Sequence, residues 1–569
     1  MAKTDPAILN VAIIGGGIAG SVAARELSHL ASGKLSITVF DQGRLLGGRA
    51  AHRRVEENGE YLSSTAEAAF VFDHGCQFFR ADSHQFQHCL LQDWLARGWV
   101  AEWQGKFGIL CGPGRDKPHA DFFGFPNQPP YYCGFGGMSA LPCALLEAAT
   151  ASGSVRVCAG VRVAGTAKLA SGKWLLSGTS GKAAFHDTAE EEAARVSPDA
   201  LGEFDAVIVT DVSASMPGWH RASAGIPEEI ASRVRNRTRV CLFTGLFAFS
   251  EPLDLEEDAF SALDDTLWFA SRTRSKPGLA NAAKYDCWTL VSTPKYAAAE
   301  IERVPMQDPK TGAFRPQDMS YLRDGPCAEL LAAFGRLLNQ NGRKTSLPKT
   351  VYVGGQRWGS AFPAPLGIDG RDSDKGWGPL TVEVMSVAYD SAASISLAPD
   401  YARRINMEAE EVFNRFDIDS SGSIDFQELR AKMLELGFMM DDEELHEMIA
   451  DVDKNKNGKI EFPEFLNLLK RDQYSSFAAR LLKADPKEVV VRSISTENVD
   501  ATCPEPKRPR LSRPALDFLA DDERRIYYTS DYVSTYLPGL EASALSALKT
   551  ARHVATVLLG QSAGGSAEL

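Results

Sequence analysis

The sequence lacks several features that mark particular classes of protein. Its ten cysteines are scattered singly, without a Cys-x-x-Cys pair, which argues against a structural zinc site and against a thioredoxin-like redox pair. No apolar signal core precedes the first predicted strand, and no uninterrupted apolar run is long enough to cross a bilayer. We therefore expect buried thiols in a reducing compartment and a soluble, cytoplasmic protein without a membrane partner.

A basic surface for nucleic acid is also missing, because the charge of the chain is acidic and concentrated in one segment. The 569 residues carry a formal charge of −13, and 18 acidic against 8 basic side chains lie between Ile405 and Asp472. The rest is close to neutral, so we expect no nucleic acid partner. The stretch PKRPRLSRP (Pro506 to Pro514) could pass for a nuclear address, although a Pro-rich basic linker is the favoured interpretation.

What the sequence does contain is a glycine-rich turn close to its start, in VAIIGGGIAGSVAAREL (residues 11–27). An apolar strand precedes the glycines and a helical pattern follows them, which is the order of a dinucleotide-binding fold. Small residues there allow a tight turn, and the helix start directs unsatisfied N–H groups at a pyrophosphate. The residues that we expect to contact the dinucleotide are Gly15, Gly17, Ile18, Ala19 and Gly20.

A second predicted strand, SITVFD, ends in a carboxylate, Asp41. Asp41 follows Gly20 at close to the distance of about 20 residues that is expected for the acid that accepts the ribose hydroxyls. A carboxylate at this position repels a 2'-phosphate. The sequence therefore favours FAD or NAD over NADP.

A second glycine-rich turn, formed by Gly47, Gly48 and Arg49, follows Asp41. An NAD dehydrogenase does not need such a turn. Five later stretches accompany it: FDHGCQFF (72–79), GWVAEWQGKFG (98–108), GFGGMSALP (134–142), LWFASRTRSKPG (267–278) and GGQRWGSAFP (354–363). In this order the series resembles the renalase-like flavoproteins of the flavin amine-oxidase superfamily.

This resemblance implies FAD rather than NAD as the cofactor, and it implies the fold class. Renalase-like chains are α/β: a doubly wound Rossmann-type FAD domain is completed by a mostly antiparallel β substrate domain. The further residues that the resemblance assigns to FAD are Gly48, Arg49, the ribityl-binding acid Asp531, and Leu540 in the helix start at Gly539 to Ala542. The chain departs from the family at Ser530, where glycine is usual.

Two 12-residue loops interrupt the flavoprotein-like body, DIDSSGSIDFQE (417–428) and DKNKNGKIEFPE (453–464). Each places oxygen ligands at positions 1, 3, 5, 7, 9 and 12 and a glycine, Gly422 or Gly458, at position 6, which is the EF-hand design for Ca²⁺. The position-8 residues Ile424 and Ile460 should pair as a two-residue sheet. The predicted calcium ligands are Asp417, Asp419, Ser421, Ser423, Asp425 and Glu428, then Asp453, Asn455, Asn457, Lys459, Glu461 and Glu464.

The strand patterns and the resemblance together predict the domain organisation, which includes an inserted all-α EF-hand module. Residues 155–178 alternate as in a β-meander, residues 204–211 read as a buried strand, and residues 240–249 as a substrate-domain strand whose aromatic side chains are core. The predicted segments are 1–80, 151–215 and 515–560 for the FAD-binding domain, 81–150 and 216–403 for the substrate domain, 404–474 for the EF-hand pair and 475–514 for a linker.

The resemblance implies an FAD-dependent oxidase that passes a hydride from a reduced nicotinamide-type or amine substrate to the flavin, and electrons to O₂, giving H₂O₂. Hydride loss from a dihydropyridine needs no base. The catalytic residues stay unassigned; His74, Gln77 and Trp358 are the candidates for the pocket, each with an ordinary structural role as the alternative. The EF-hand pair is either a passive graft or a Ca²⁺ regulator with a protein partner. The rival functions are an inactive Ca²⁺-responsive binding protein on a flavin fold and a plain NAD dehydrogenase.

Overall fold

Secondary structure in the computed structural model can be followed through residues 8–62, 68–114, 130–180, 199–212, 226–363, 518–531 and 540–559, apart from positions 44, 82, 236, 238, 307–314, 316, 317, 344 and 345. In the calcium-loop region the described residues are 421, 423–435, 449, 453 and 457–461. The chain forms two compact units, residues 1–394 with 509–569, and residues 395–508. The first unit carries the glycine-rich turns and the second carries the calcium loops.

The strands of the described residues are numbered in chain order. They are β1 Leu9–Ile14, β2 Leu35–Asp41, β3 His52–Val55, β4 Phe70–Asp73, β5 Val100–Glu102, β6 Phe107–Cys111, β7 Tyr132–Gly134, β8 Val155–Ala159, β9 Val161–Lys168, β10 Trp174–Ser180, β11 Asp199–Phe204, β12 Ala206–Val209, β13 Arg239–Phe249, β14 Ala259–Leu263, β15 Leu267–Arg272, β16 Asp286–Ser292, β17 Thr350–Pro363, β18 Ser423–Ile424, β19 Ile460–Glu461, β20 Leu519–Asp521 and β21 Ile526–Tyr528.

The helices of the described residues are numbered in the same way. They are α1 Ile18–Leu30, α2 His84–Phe86, α3 Gln92–Ala96, α4 Ala140–Thr150, α5 Glu228–Arg235, α6 Pro294–Arg303, α7 Met319–Leu322, α8 Ala328–Gln340, α9 Phe426–Glu435 and α10 Leu540–Leu559. Short 3-10 turns lie at Gly48–Ala50 and Thr273–Ser275, and π-turns at Gln87–Leu91 and Arg323–Cys327.

A six-stranded parallel sheet forms the centre of the first unit. Its order is β20-β21-β12-β1-β2-β8, and every pair is parallel except the edge pair β20 and β21. The side chains of Val11 to Ile13 in β1 and of Ala206 to Val209 in β12 have no exposed surface. Such continuous apolar strands are typical of a parallel sheet that is covered on both faces. The prediction of a doubly wound α/β domain is confirmed, as is the predicted buried strand after residue 204.

Two layers cover this sheet. On one face, α1 packs between α4 and α10, and their apolar side chains share one core with the sheet. On the other face lies the antiparallel sheet β11-β10-β9, where Trp174 and Leu176 pack with Ala12 and Phe40. The meander predicted for residues 155–178 is therefore present from β9 onward. Its first strand, β8, instead pairs parallel to β2 and extends the central sheet.

The second large sheet of the unit has the order β17-β13-β16-β15-β14-β6 and is antiparallel except for the pair β14 and β6. One apolar side of α8, with Leu330, Phe334 and Leu337, packs on Phe260 and Trp288 of this sheet. The aromatic residues of β13 are buried, so their predicted role as core residues is confirmed. The mostly antiparallel substrate-type domain that was expected is present.

The second unit contains the two calcium loops. Its strands β18 and β19 pair antiparallel, with Ile424 opposite Ile460, and both isoleucines are fully buried. Leu429 and Ile449 are buried as well. The predicted bridge between the two loops is confirmed.

The cysteines of the described part of the chain are all free thiols. None of the nine forms a disulfide, and each is buried or half-buried. Burial raises the pKa of Cys76 to about 12 and the pKa of Cys241 to about 11, so both thiols are protonated at neutral pH.

Among the same described residues, no helix is both long and apolar enough to cross a bilayer.

Candidate functional site

The first glycine-rich turn lies at the carboxyl end of β1. Gly15 has φ +110°, and its N–H donates to the Phe40 carbonyl at 2.7 Å. A Cβ atom on Gly20 would lie 1.8 Å from the Gly15 carbonyl oxygen, so no larger residue fits there without a backbone shift. Helix α1 begins directly after Gly17, and within the described residues its first turn has neither a side-chain cap nor an acidic residue. The N–H groups of this helix end are therefore suited to an anionic ligand.

Asp41 is held rigidly beside this turn. It is buried, its Oδ2 accepts the Gly16 N–H at 2.6 Å, and its Oδ1 accepts the Gly43 N–H at 2.7 Å. Burial raises the pKa of Asp41, while the two backbone hydrogen bonds lower it. Each oxygen keeps a second acceptor position, which suits a ribose hydroxyl and disfavours a phosphate.

The second glycine-rich turn packs on the first. The Gly47 N–H donates to the Gly16 carbonyl at 3.0 Å, and Gly17 and Gly47 form a parallel bridge. Gly47 and Gly48 both have positive φ, +121° and +52°, which glycine adopts most readily. The two turns thus form one surface at the carboxyl ends of β1 and β2, which is where open α/β sheets bind ligands.

Arg49 connects this surface with two distant parts of the unit. Its guanidinium makes two parallel hydrogen bonds to Asp531, at 2.8 and 2.6 Å, and donates to the Ala361 carbonyl at the end of β17 at 2.9 Å. The side chain of Asp531 has no exposed surface, whereas that of Arg49 is 35% exposed. Such paired charge-assisted bonds fix the position of both groups. The predicted contacts Arg49 and Asp531, 482 residues apart, therefore meet.

The residues around Asp531 are tightly fixed as well. Ser530 is buried, and its hydroxyl donates to the Tyr528 hydroxyl oxygen at 3.3 Å. The Thr529 N–H donates to the Val209 carbonyl at 3.0 Å, so the chain continues from β21 along β12 toward the end of the sheet. Leu540 is the first described residue of α10 and is buried; the predicted helix start at Gly539 lies outside the described residues. The hydrogen bond to the Tyr528 hydroxyl thus accommodates the Ser530 side chain in this buried position.

The turn of residues 73–77 is where four of the separate sequence stretches converge. The Asp73 Oδ2 accepts from the Lys276 ammonium at 2.9 Å, and its Oδ1 accepts the Met138 N–H at 2.9 Å. The Cys76 N–H donates to the Arg49 carbonyl at 2.8 Å. Trp358 donates from Nε1 to the His74 carbonyl at 3.1 Å. Sequence reasoning missed Asp73 and Lys276; the motif order was the signal that could have linked them.

Gln77, one of the three pocket candidates, is fully engaged inside this turn. Its Nε2 donates to the carbonyls of Asp73 and Gly75, at 2.6 and 2.9 Å. Its Oε1 accepts from Ser271 Oγ at 2.9 Å and from Lys276 Nζ at 3.1 Å. These four bonds use both donors and both acceptor positions of the amide. Gln77 therefore supports the turn and has no hydrogen-bonding capacity left for a ligand.

His74 and Trp358, the other two candidates, lie against each other. Their rings are 5.4 Å apart, and a Cβ on Gly75 would lie 3.1 Å from the indole and 2.2 Å from the Arg49 carbonyl. Burial lowers the pKa of His74 well below its usual value, and the charges of Arg53 and His52 lower it further, so the imidazole is neutral. Among the described residues its Nδ1 has no hydrogen-bond partner. Trp358 is half-buried.

The described part of the first calcium loop is ordered by its own side chains. Asp425 accepts the N–H of Glu428 at 3.0 Å and thereby caps α9, and Glu428 accepts the N–H of Asp425 at 3.0 Å. Ser421 donates to the Ser423 carbonyl at 3.0 Å. The remaining predicted ligands of this loop, Asp417 and Asp419, and its glycine, Gly422, lie outside the described residues.

The second calcium loop shows the turn expected of its glycine. Gly458 has φ +76°, and its N–H donates to Asp453 at 2.7 Å, while Asn457 accepts the N–H of Lys459 at 2.9 Å. Among the predicted ligands of this loop, Asn455 and Glu464 lie outside the described residues, as does the side chain of Glu461. Asp453 and Asn457 occupy positions 1 and 5 of the loop, where the EF-hand design takes its first and third ligands.

Two family comparisons agree with these two sites. Residues 13–93 match the family of NAD(P)-binding Rossmann-like domains, and residues 406–470 match the family of EF-hand domain pairs. The predicted dinucleotide-binding fold and the predicted EF-hand pair are both confirmed.

Curated relatives are similar to the calcium-binding segment. Calcium-binding protein CML19 of Arabidopsis thaliana is 48% identical over 62 residues, which cover 11% of this chain and 37% of that protein. Centrin-1 of Bos taurus is 45% identical over 71 residues, 12% of this chain and 41% of that protein. The chain thus spans about two fifths of the length of these relatives.

Solved structures are similar over 62% of the chain at low identity. An oxidoreductase of Methanosarcina mazei aligns with 62% of this chain and 88% of its own, with TM-score 0.38 and 11% identity. Cyclohexylamine oxidase of Brevibacterium oxydans aligns with 62% of this chain and 85% of its own, with TM-score 0.37 and 11% identity. At these scores the similarity carries no inference about reaction or substrate.

Proposed function

We propose that the protein is an FAD-dependent oxidase whose activity responds to Ca²⁺. The observation that carries this proposal is the position of Arg49. Arg49 directly follows the second glycine turn of the parallel sheet. Its side chain contacts Asp531 and the end of β17 in the second sheet. Because Arg49 joins the glycine turns to the second sheet, it supports a cofactor whose ring system reaches the substrate half of the unit, as FAD would, and a simple NAD domain has no use for this connection.

The residues present fit FAD in three respects. The uncapped start of α1 offers N–H groups to the pyrophosphate, and Asp41 offers acceptor positions to the ribose. Gly17 allows the backbone to approach the pyrophosphate closely, and a Cβ there would only be in ordinary contact with the Gly47 carbonyl oxygen at 3.6 Å. When bound, FAD would accept a hydride from the substrate and deliver electrons to O₂, with H₂O₂ as product.

We propose a reduced nicotinamide-type molecule or an amine as substrate. The residues around the 73–77 turn support a reaction without a general base, because burial lowers the pKa of His74 and so makes it a weak base, and Asp73 is paired with Lys276. The turn and Trp358 would orient the reacting groups and exclude water from them.

The EF-hand pair would regulate this reaction. In the sequence, the pair is inserted between β17 and β20. Arg49 contacts Ala361, which precedes this insertion, and Asp531, which follows it. We propose that Ca²⁺ binding biases access to the flavin through this connection, with a protein partner able to bind the Ca²⁺-loaded pair.

A second candidate function is a Ca²⁺-responsive binding protein whose flavin fold has lost catalysis. Ser530, in place of the usual glycine, favours it, since a side chain there limits how closely a cofactor can approach the backbone. Purification separates the candidates. The oxidase is expected to be yellow and to release H₂O₂ when a reduced nicotinamide is added aerobically. A colourless protein that refuses added FAD would contradict the oxidase and leave a Ca²⁺-binding protein, and a yellow protein that releases no H₂O₂ would also favour the second candidate.

A further inference from the structure

Lys276 and Asp73 form an ion pair in the interior of the first unit. The ammonium nitrogen lies 2.9 Å from Asp73 Oδ2, and the side chains are 2% and 1% exposed. The ammonium also lies 5.5 Å from the centre of the Trp103 ring. Burying two charges removes their hydration, so apolar side chains of similar volume would serve stability as well or better. The pair therefore needs a reason other than stability.

That reason is visible in what Lys276 contacts. Its ammonium bonds both ends of the five-residue turn, Asp73 at the start and the Gln77 Oε1 at the end, the latter at 3.1 Å. An ammonium donates hydrogen bonds and accepts none. The Gln77 amide must therefore present its oxygen to Lys276, and its Nε2 must face the carbonyls of Asp73 and Gly75, as observed. The carbonyls of Asp73 and Gly75 only accept, so they require the same orientation of the amide, and Lys276 connects that amide to the Asp73 carboxylate at the other end of the turn.

The turn that Lys276 fixes from one side contacts the proposed cofactor groups on the other. The Cys76 N–H is bonded to the Arg49 carbonyl at 2.8 Å, and the His74 carbonyl is bonded to Trp358 at 3.1 Å. Gly75 lies between these two contacts without room for a side chain. A shift of the turn would therefore move Arg49, Trp358 or both. Lys276 itself contacts neither group through a bond recorded between the described residues.

We propose that Lys276 is a positioning residue for the flavin reaction: through Asp73 and Gln77 it sets the geometry of the turn that supports Arg49 and Trp358. This inference rests on the proposed function. It assigns no proton transfer or substrate contact to Lys276.

Three variants test the proposal. Lys276→Met alone would leave the Asp73 carboxylate buried and unpaired, so the double variant Lys276→Met/Asp73→Asn is used, which removes both charges and keeps an acceptor for the Met138 N–H. Gln77→Met leaves the ion pair intact and separates it from the end of the turn. Arg272→Met/Asp286→Asn is the matched control, because Arg272 and Asp286 form a second buried ion pair, 3.3 Å apart. Arg272 directly follows Ser271 in β15, so its side chain points to the opposite face of the strand from the Gln77 contact.

The readouts are the melting temperature of the FAD-free protein, the visible spectrum of bound FAD, and kcat and KM for a reduced nicotinamide. For the double variant and for Gln77→Met we expect a shifted flavin spectrum and a kcat lowered about 10- to 100-fold, with KM changed less than about threefold. The control should lower the melting temperature and leave the spectrum and kcat unchanged.

Two failures are distinguishable. If the unmodified protein binds FAD and turns over, but Gln77→Met keeps its spectrum and kcat, Lys276 is a structural residue and the inference is wrong. The same conclusion follows if the control changes the spectrum as much as the test variants do. If the unmodified protein neither binds FAD nor oxidises a reduced nicotinamide, the proposed function is wrong and this inference falls with it.

Discussion

The two ligand sites of the chain are built in opposite ways. Each calcium loop takes its ligands from 12 consecutive residues, and the loops meet through one pair of opposed isoleucines. The proposed dinucleotide site would instead combine the two glycine turns near the start of the chain with Asp531 near its end and with the end of β17, which Arg49 connects. A local site depends on a local fold, whereas a distributed site depends on the packing of the whole unit.

The two designs should therefore respond differently to substitutions. A substitution in a calcium loop should remove one ion and leave the rest of the chain as it was. A substitution at a residue that joins distant segments should affect the cofactor and the stability of the unit together. Four predictions test this contrast.

The largest effect is expected from Arg49→Met. It removes both charge-assisted bonds to Asp531 and leaves that fully buried carboxylate without its cationic partner. We expect FAD affinity to fall about 100-fold or more, and the free energy of unfolding to fall by about 2 kcal/mol, less than for a fully buried pair because Arg49 is 35% exposed. FAD fluorescence titration and urea unfolding measure the two quantities.

The contrast adds a control to this experiment. The Arg49→Met protein should still bind two Ca²⁺ ions by isothermal titration calorimetry, because the calcium ligands are local. Arg49→Lys keeps the charge but loses the paired geometry, so its effect should be intermediate. Loss of calcium stoichiometry in Arg49→Met would show that the sites are not independent in folding.

The second prediction concerns Glu428 and Glu464, the predicted twelfth ligands of the two loops. Glu428→Gln or Glu464→Gln should weaken one calcium site at least about tenfold and leave the other, because the final glutamate supplies two oxygens to the ion. FAD content should stay at the level of the unmodified protein. Under the proposed regulation, the double variant should turn over at one rate with Ca²⁺ and with a chelator, and a persistent response to Ca²⁺ would contradict it.

The third prediction separates two glycines of the same turn. Gly20→Ala places a Cβ 1.8 Å from the Gly15 carbonyl oxygen, so the strand and helix must separate, and we expect a loss of about 1–3 kcal/mol in stability together with FAD binding. In Gly17→Ala the nearest atom is at 3.6 Å, so the fold should remain intact while the methyl group occupies cofactor space. Normal FAD affinity in Gly17→Ala would place the cofactor elsewhere.

The same contrast explains what the sequence could and could not predict. The β1-turn-α1 unit, Asp41 and both calcium loops were predictable because each is a pattern within a short stretch. The ion pair between Asp73 and Lys276 was not predictable, because it joins residues 203 positions apart. In addition, a single lysine in a Ser-Lys-Pro-Gly turn is usually exposed to solvent. Strand β8 was assigned to the meander because alternation alone does not tell which sheet a strand joins.

The smallest expected effect concerns His74 and pH. Burial keeps the pKa of His74 in the folded protein well below its usual value, whereas in the unfolded chain it is about 6.5. The unfolded state therefore binds the extra proton first, so the stabilising contribution is complete above about pH 6.5 and is lost as the pH falls toward the folded-state pKa. Between pH 7 and pH 5 the free energy of unfolding should fall by about 1.5–2 kcal/mol more in the unmodified protein than in His74→Gln. His52, whose pKa burial also lowers, is present in both proteins, and because its charge acts on His74 the measured difference includes the coupling of the two rings. Equal pH dependence of urea unfolding in the two proteins would mean that the pKa of His74 is the same in the folded and unfolded states, which would contradict its burial as a neutral ring.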